Sequence, residues 1–243
     1  MAKEKKIEKK DKKRRFKRFS RVICFILFSI FLYFWSVGIL RTILQYIQSD
    51  SALMGFPKPF FYFICSFCSS IVVITIFMNS LLKHYMYCHE LTHALFGIIT
   101  GSKVSKLKVN EDNASVNISH SNLIVALSPY IISLHTLMIL FIYGCATMAF
   151  PKATGYMHNF FTIILGTSAA FHFVFTIKSL LQEQTDIERS GFFFSYLLIT
   201  TLNLCGIAII LTCIDTISLA EFTITSLKLA GNTIAHLWAI LLT

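Results

Sequence analysis

The residues best suited to chemistry are five in a row, His89-Glu90-Leu91-Thr92-His93. On a helix, side chains four apart share a face, so both imidazoles can reach one metal ion. Glu90 stands beside them as a carboxylate able to take a proton from a water that the ion acidifies. With 8 His and 7 Glu in 243 residues, chance would produce this pattern in roughly one chain in a hundred of this composition. The motif also sits in a helical, mostly apolar stretch that follows a long hydrophobic run. Ionisable groups at such depth in a membrane are costly and usually functional. The donor set suits zinc.

A catalytic zinc site takes three protein ligands and keeps one position open. The third ligand must come from elsewhere in the chain, and the candidates are Asp112, His120, His135, His158, His172, Glu183, Asp186 and Glu188. Asp112 reads as a solvated turn residue, His120 as a flank of the next apolar run and His158 as interfacial. His135 reads as a histidine bonded to a neighbouring helix. His172 and Asp186 stand out equally. His172 lies in the middle of an apolar run (Ala169-Ala170-Phe171-His172-Phe173), and Asp186 lies in Gln184-Thr185-Asp186-Ile187-Glu188-Arg189, at a break between two runs.

The elements that must position these residues follow from composition. The chain is 55% hydrophobic and only 14% charged, with a mean hydropathy of +0.67. A soluble domain carries about a quarter charged residues, so the fold class expected is an all-α polytopic membrane protein. Residues 1–21 hold 12 of the 22 Lys+Arg and carry +9, whereas the rest of the chain carries +1. An apolar run follows the tail at once. The tail therefore reads as a cytoplasmic juxtamembrane segment resting on anionic headgroups, not as a nucleic-acid-binding arm.

Val22–Leu40 is expected to be a first transmembrane helix, and Phe60–Leu82 a second, closed by Lys83. His84–Thr100 is a shorter helical segment that Gly101 ends, and Gly97 on its histidine stripe would admit another helix closely. Residues 102–119 alternate apolar and polar around Asn110-Glu-Asp-Asn113 and predict a β-hairpin, with Ser105, Leu107 and Val109 on one face. Asn122–Met148, Phe160–Leu181 and Phe192–Cys213 are further apolar stretches, and Pro151–Gly155 is a loop. Residues 216–243 form an apolar or interfacial helix. The result is about six transmembrane or re-entrant helices, with the functional core over 57–215. Cys65-x-x-Cys68 lacks a second such pair and reads as buried apolar cysteine.

The run His89-Glu90-Leu91-Thr92-His93-Ala94-Leu95-Phe96-Gly97 leads through Gly101-Ser-Lys-Val104 into a β element. Leu127-Ser128-Pro129-Tyr130 and, later, Gln184-Thr185-Asp186-Ile187 follow. This order resembles the site-2 protease group of intramembrane zinc metalloproteases (peptidase family M50), in particular its small bacterial members, over roughly residues 57–200. The resemblance implies a multi-pass protein of a bacterial cytoplasmic membrane, and the basic tail puts its N-terminus in the cytoplasm. It implies His89 and His93 as zinc ligands, Glu90 as general base and Asp186 as third ligand. His172 then becomes a residue that supports the zinc ligands or polarises the substrate. The family's usual Leu-Asp-Gly is replaced here by Asp186-Ile187, with Gly191 five residues after the aspartate.

The activity implied is hydrolysis of peptide bonds within or beside a membrane-spanning segment of another protein. The hairpin edge would hold the unwound substrate by β-addition. Two other functions are compatible with the residues: a non-catalytic membrane protein that retains a zinc site, and an HExxH protease with Glu183 or Glu188 as third ligand acting on the aqueous side. At about 17 residues, 84–100 is at the lower limit for a span. This length favours a segment that dips in and returns, with the site on the cytoplasmic side.

Overall fold

The computed structural model describes residues 26–42, 58–110, 114–151, 154–182, 185–214 and 219–242. The basic tail, Glu111, Asp112 and Asn113 of the expected turn, and Glu183 lie outside the described residues.

The first apolar run forms α1 (Ile26–Thr42). The second and the histidine segment divide differently from expectation, into α2 (Lys58–Ile76) and α3 (Met78–Ile99), which join at Phe77. Backbone pairing runs through the joint, since the Phe77 amide donates to Val73 and the Leu81 amide to the Phe77 carbonyl. Hydropathy changes at Lys83 but backbone direction does not, so Lys83 lies inside α3. The HExxH helix has 22 residues, about 33 Å at 1.5 Å per residue. That length removes the reason for expecting a short segment that dips in and returns.

Helix α3 ends as expected. Gly101 has φ +80°, and the amides of Ser102 and Gly101 donate back to the carbonyls of Gly97 and Ile98. This is a Schellman cap, whose left-handed residue favours glycine. Strands β1 (Val104–Val109) and β2 (Ala114–Ile118) then pair antiparallel. The pairing slips between Ser105 and Lys108, where two residues of β1 oppose Val116 alone. Lys106 sits there at φ +52°. This bulge corrects the expected face of β1: Val104, Leu107 and Val109 are the half-buried positions and Ser105 is exposed.

The stretch Asn122–Met148 is two helices, α4 (Leu123–Ile131) and α5 (Leu134–Ala149), bent by 71°. Ile132 and Ser133 are extended between them, and the Ser133 hydroxyl accepts the Thr136 amide at 3.3 Å to start α5. Helix α6 (Thr154–Leu180) takes up the end of the expected loop. The polar break forms a short α7 (Thr185–Ser190), and Gly191 at φ +87° turns it into α8 (Phe192–Cys213). Helix α9 (Leu219–Leu242) closes the chain.

Three of these helices, α2, α6 and α8, are long and apolar enough to cross a membrane, or four if the bent α4–α5 pair is one span. The chain is accordingly a mostly helical membrane protein. Its outward faces carry Val72, Ile76, Phe160 and Phe193, all more than half exposed, a surface suited to hydrocarbon rather than water. Inside, a Cβ on Gly166 of α6 would fall 2.1 Å from Ser66 Oγ and 2.6 Å from the Phe63 carbonyl of α2. The backbones of α2 and α6 therefore touch. Phe60, Phe63, Phe161, Leu165, Leu211 and Ile214 bind α2, α6 and α8 into one core. On the far side, Gly38 of α1 lies against the Ser226 carbonyl of α9, and Ser36 shares a 2.6 Å hydrogen bond with Thr201 of α8.

Candidate metal centre

The i, i+4 spacing on α3 sets His89 and His93 on one face, with ring centroids 4.9 Å apart. Helix α7 brings Asp186 to them. The ligand atoms of His89, His93 and Asp186 all lie within 4.8 Å of one another, and His93 Nε2 is 3.3 Å from Asp186 Oδ2. Ligand–metal distances near 2.0–2.1 Å in a tetrahedron place neighbouring N and O ligands about 3.3 Å apart, so the pair has the spacing of two ligands of one ion.

Hydrogen bonding orients the donors. His93 Nδ1 is 2.8 Å from the Val125 carbonyl. A carbonyl only accepts, so the proton of His93 sits on Nδ1 and the lone pair of Nε2 turns toward Asp186. Two acceptors 3.3 Å apart need a cation between them, a second proton on His93 or a metal. A proton serves only that pair, whereas a metal ion serves His89 as well. His89 Nδ1 is in turn 3.2 Å from the Tyr85 hydroxyl, one helical turn earlier, and its ring meets the edge of the fully buried Tyr130 at 5.1 Å. The residues present therefore fit a metal ion.

Pro129 accounts for the free Val125 carbonyl. In α4 that carbonyl would ordinarily receive the amide of residue 129, and proline has none. His93 and the Ser128 hydroxyl, at 3.0 Å, donate to it instead. Asp186 is held by its neighbour: Ile187 is 1% exposed and packs with Leu127, Tyr130 and Ile199 of α4 and α8. Ile187, the apolar residue after Asp186, thus anchors α7. Glu90 is half-buried on α3, its carboxylate near the Val116 backbone amide of β2 and within electrostatic reach of His93 and Asp186. Gly97 serves the hairpin, not another helix as expected. A Cβ there would come within 3.2 Å of Val104 and 3.3 Å of Ile118, so glycine lets the sheet lie on α3.

The other candidates go elsewhere. His172 does not join the cluster of His89, His93 and Asp186. It lines a cleft with Tyr85, Cys88, His89 and His135, and its buried Nε2 has no hydrogen-bond partner among the described residues. His135 pairs with His84 and Cys88 of α3, and His158 with the Tyr143 hydroxyl at 2.8 Å. His120 contacts the Ser119 carbonyl and is exposed, as is Glu188. Cys65 and Cys68 are exposed free thiols on α2. His84 and Cys88 were not among the sequence candidates, although they repeat the i, i+4 spacing of His89 and His93 one position out of phase.

Comparison of the chain with protein-family models, curated proteins and solved structures gives no match.

Proposed function

We propose that this protein is an intramembrane zinc metalloprotease of the site-2 protease type, which hydrolyses peptide bonds within or beside membrane-spanning segments. The observation that carries the reading is the convergence of His89, His93 and Asp186 around one point, with Glu90 alongside. Zinc held by these three residues supplies a Lewis acid that acidifies water and polarises a carbonyl. Glu90 takes the proton from the attacking water and returns it to the departing amide nitrogen. His172, in the cleft beside His89, donates to the carbonyl oxygen as negative charge gathers on it. The outer edges of the two-stranded sheet accept the unwound substrate as an added strand. A proline at Lys108 then lowers cleavage and leaves zinc bound.

In this reading the helices make up about six spanning or re-entrant segments. The basic tail stays on the cytoplasmic side of a bacterial membrane, against anionic headgroups. The test is metal content and cleavage of a single-span membrane reporter by detergent-purified protein. Asp186→Ala and His93→Ala are expected to lose one zinc per chain relative to wild type and all cleavage. Glu90→Gln keeps the zinc and loses cleavage. Zinc kept by Asp186→Ala and lost with His172→Ala would overturn the ligand set. No cleavage by zinc-loaded wild type of any of a panel of membrane reporters would overturn the protease reading.

A further inference from the structure

A second cluster of metal-ligating side chains stands one turn ahead of the first. His84 and Cys88 lie four apart on α3, and the 71° bend before α5 carries His135 onto the same face. His84 Nε2 is 2.7 Å from His135 Nε2. Cys88 Sγ is 3.5 Å from His135 Nε2 and 4.0 Å from His84 Nε2. Around a tetrahedral ion with bonds near 2.0–2.1 Å to nitrogen and 2.3 Å to sulfur, N···N edges are about 3.3 Å and N···S edges about 3.6 Å. The Cys88–His135 edge matches that shape, the His84–His135 edge is about 0.6 Å short and the His84–Cys88 edge about 0.4 Å long. His84 is exposed on α3. Phe171 of α6 sets its ring edge-on against both imidazoles, at 6.0 Å and 5.0 Å, and limits how far they swing.

We infer that His84, Cys88 and His135 form a second metal site, distinct from the His89–His93–Asp186 centre, that takes zinc(II) or another soft transition-metal ion. A thiolate with two imidazoles selects such ions over magnesium or calcium. Binding releases the Cys88 proton and leaves one position of the ion for water or a ligand from the cleft that Cys88 and His135 line. The cluster includes no carboxylate to act as a base. Its consequence is structural: an ion there ties α3 to the start of α5 and braces the bend.

Cobalt(II) tests the inference, because only a sulfur ligand gives a thiolate-to-cobalt charge-transfer band in the near ultraviolet and the first centre has none. Reduced, full-length protein in detergent is titrated with cobalt(II). The band is expected in wild type and in His93→Ala, absent in Cys88→Ser, and displaced by zinc(II). A band that survives Cys88→Ser, or one lost with His93→Ala, overturns the second site. Alkylation of Cys88 in wild type, read by mass spectrometry with and without zinc(II), needs no variant to fold. Slower alkylation with zinc supports the site, and an unchanged rate overturns it. Neither readout depends on proteolysis.

Discussion

The two clusters on α3 begin from the same local device and end as different sites. Each sets two candidate ligands four apart on one helix, and each draws a third from elsewhere: Asp186 from the short α7, His135 from the start of α5. What separates them is their surroundings. His93 is buried and its Nδ1 is engaged by the Val125 carbonyl, while His84 is exposed. The first cluster has Glu90 beside it and two oxygen-or-nitrogen ligand types, the second a thiol and no carboxylate. Helical spacing makes a metal site possible, and the groups packed around it decide whether the ion activates water or only holds two helices together.

The sharpest division between the clusters comes from Glu90→Gln. Loss of a positioned general base costs about a hundred- to ten-thousandfold in turnover, with metal retained at both clusters. A comparable fall in metal content would make Glu90 a ligand and blur the distinction. His172→Phe is expected to lower turnover by about a hundredfold, the scale of one lost donor to developing charge. KM and zinc content should change little, and a variant that lost zinc would move His172 into the ligand set.

Pro129→Ala probes the shell of the first cluster alone. Restoring an amide at position 129 gives the Val125 carbonyl its helical partner back and loosens its hold on His93. Losing such an orienting bond weakens metal binding by about ten- to a hundredfold. The cobalt–thiolate band should persist, because the bend itself lies at Ile132 and Ser133. Equal weakening at both clusters would show that the proline shapes them together. The smallest effect is expected from Gly97→Val, which pushes Val104 and Ile118 off α3. Overpacking of this kind costs about 1–3 kcal/mol, read as a lower thermal midpoint with both metals in place.

Much of the molecule was legible before its tertiary structure. The His89–His93 pair, the cap at Gly101, the span over Phe192–Cys213 and the hairpin strands rest on interactions between residues a few positions apart. Periodicity and turn chemistry report such interactions directly. The bulge at Lys106 shifted one strand face without abolishing the pairing, since alternation registers apolar residues but not an extra residue between them. The start of α3 at Met78 was misplaced because no glycine or proline marks Phe77 and the charge at Lys83 suggested a boundary.

The amino-acid sequence by itself determined that this chain is a helical membrane protein with a histidine pair and a carboxylate on one helix, because helix geometry is a local consequence of the backbone. Only the tertiary structure clustered Asp186, and not His172, with His89 and His93. Their distances from His89 and His93 depend on how Ile187 seats α7 between α4 and α8, and on how Gly166 lets α6 meet α2. It also created the His84–Cys88–His135 cluster, through a bend that brings together residues 47 and 51 positions apart in the chain. Contacts at such separation follow from packing of the whole helix set, which no short window of sequence contains.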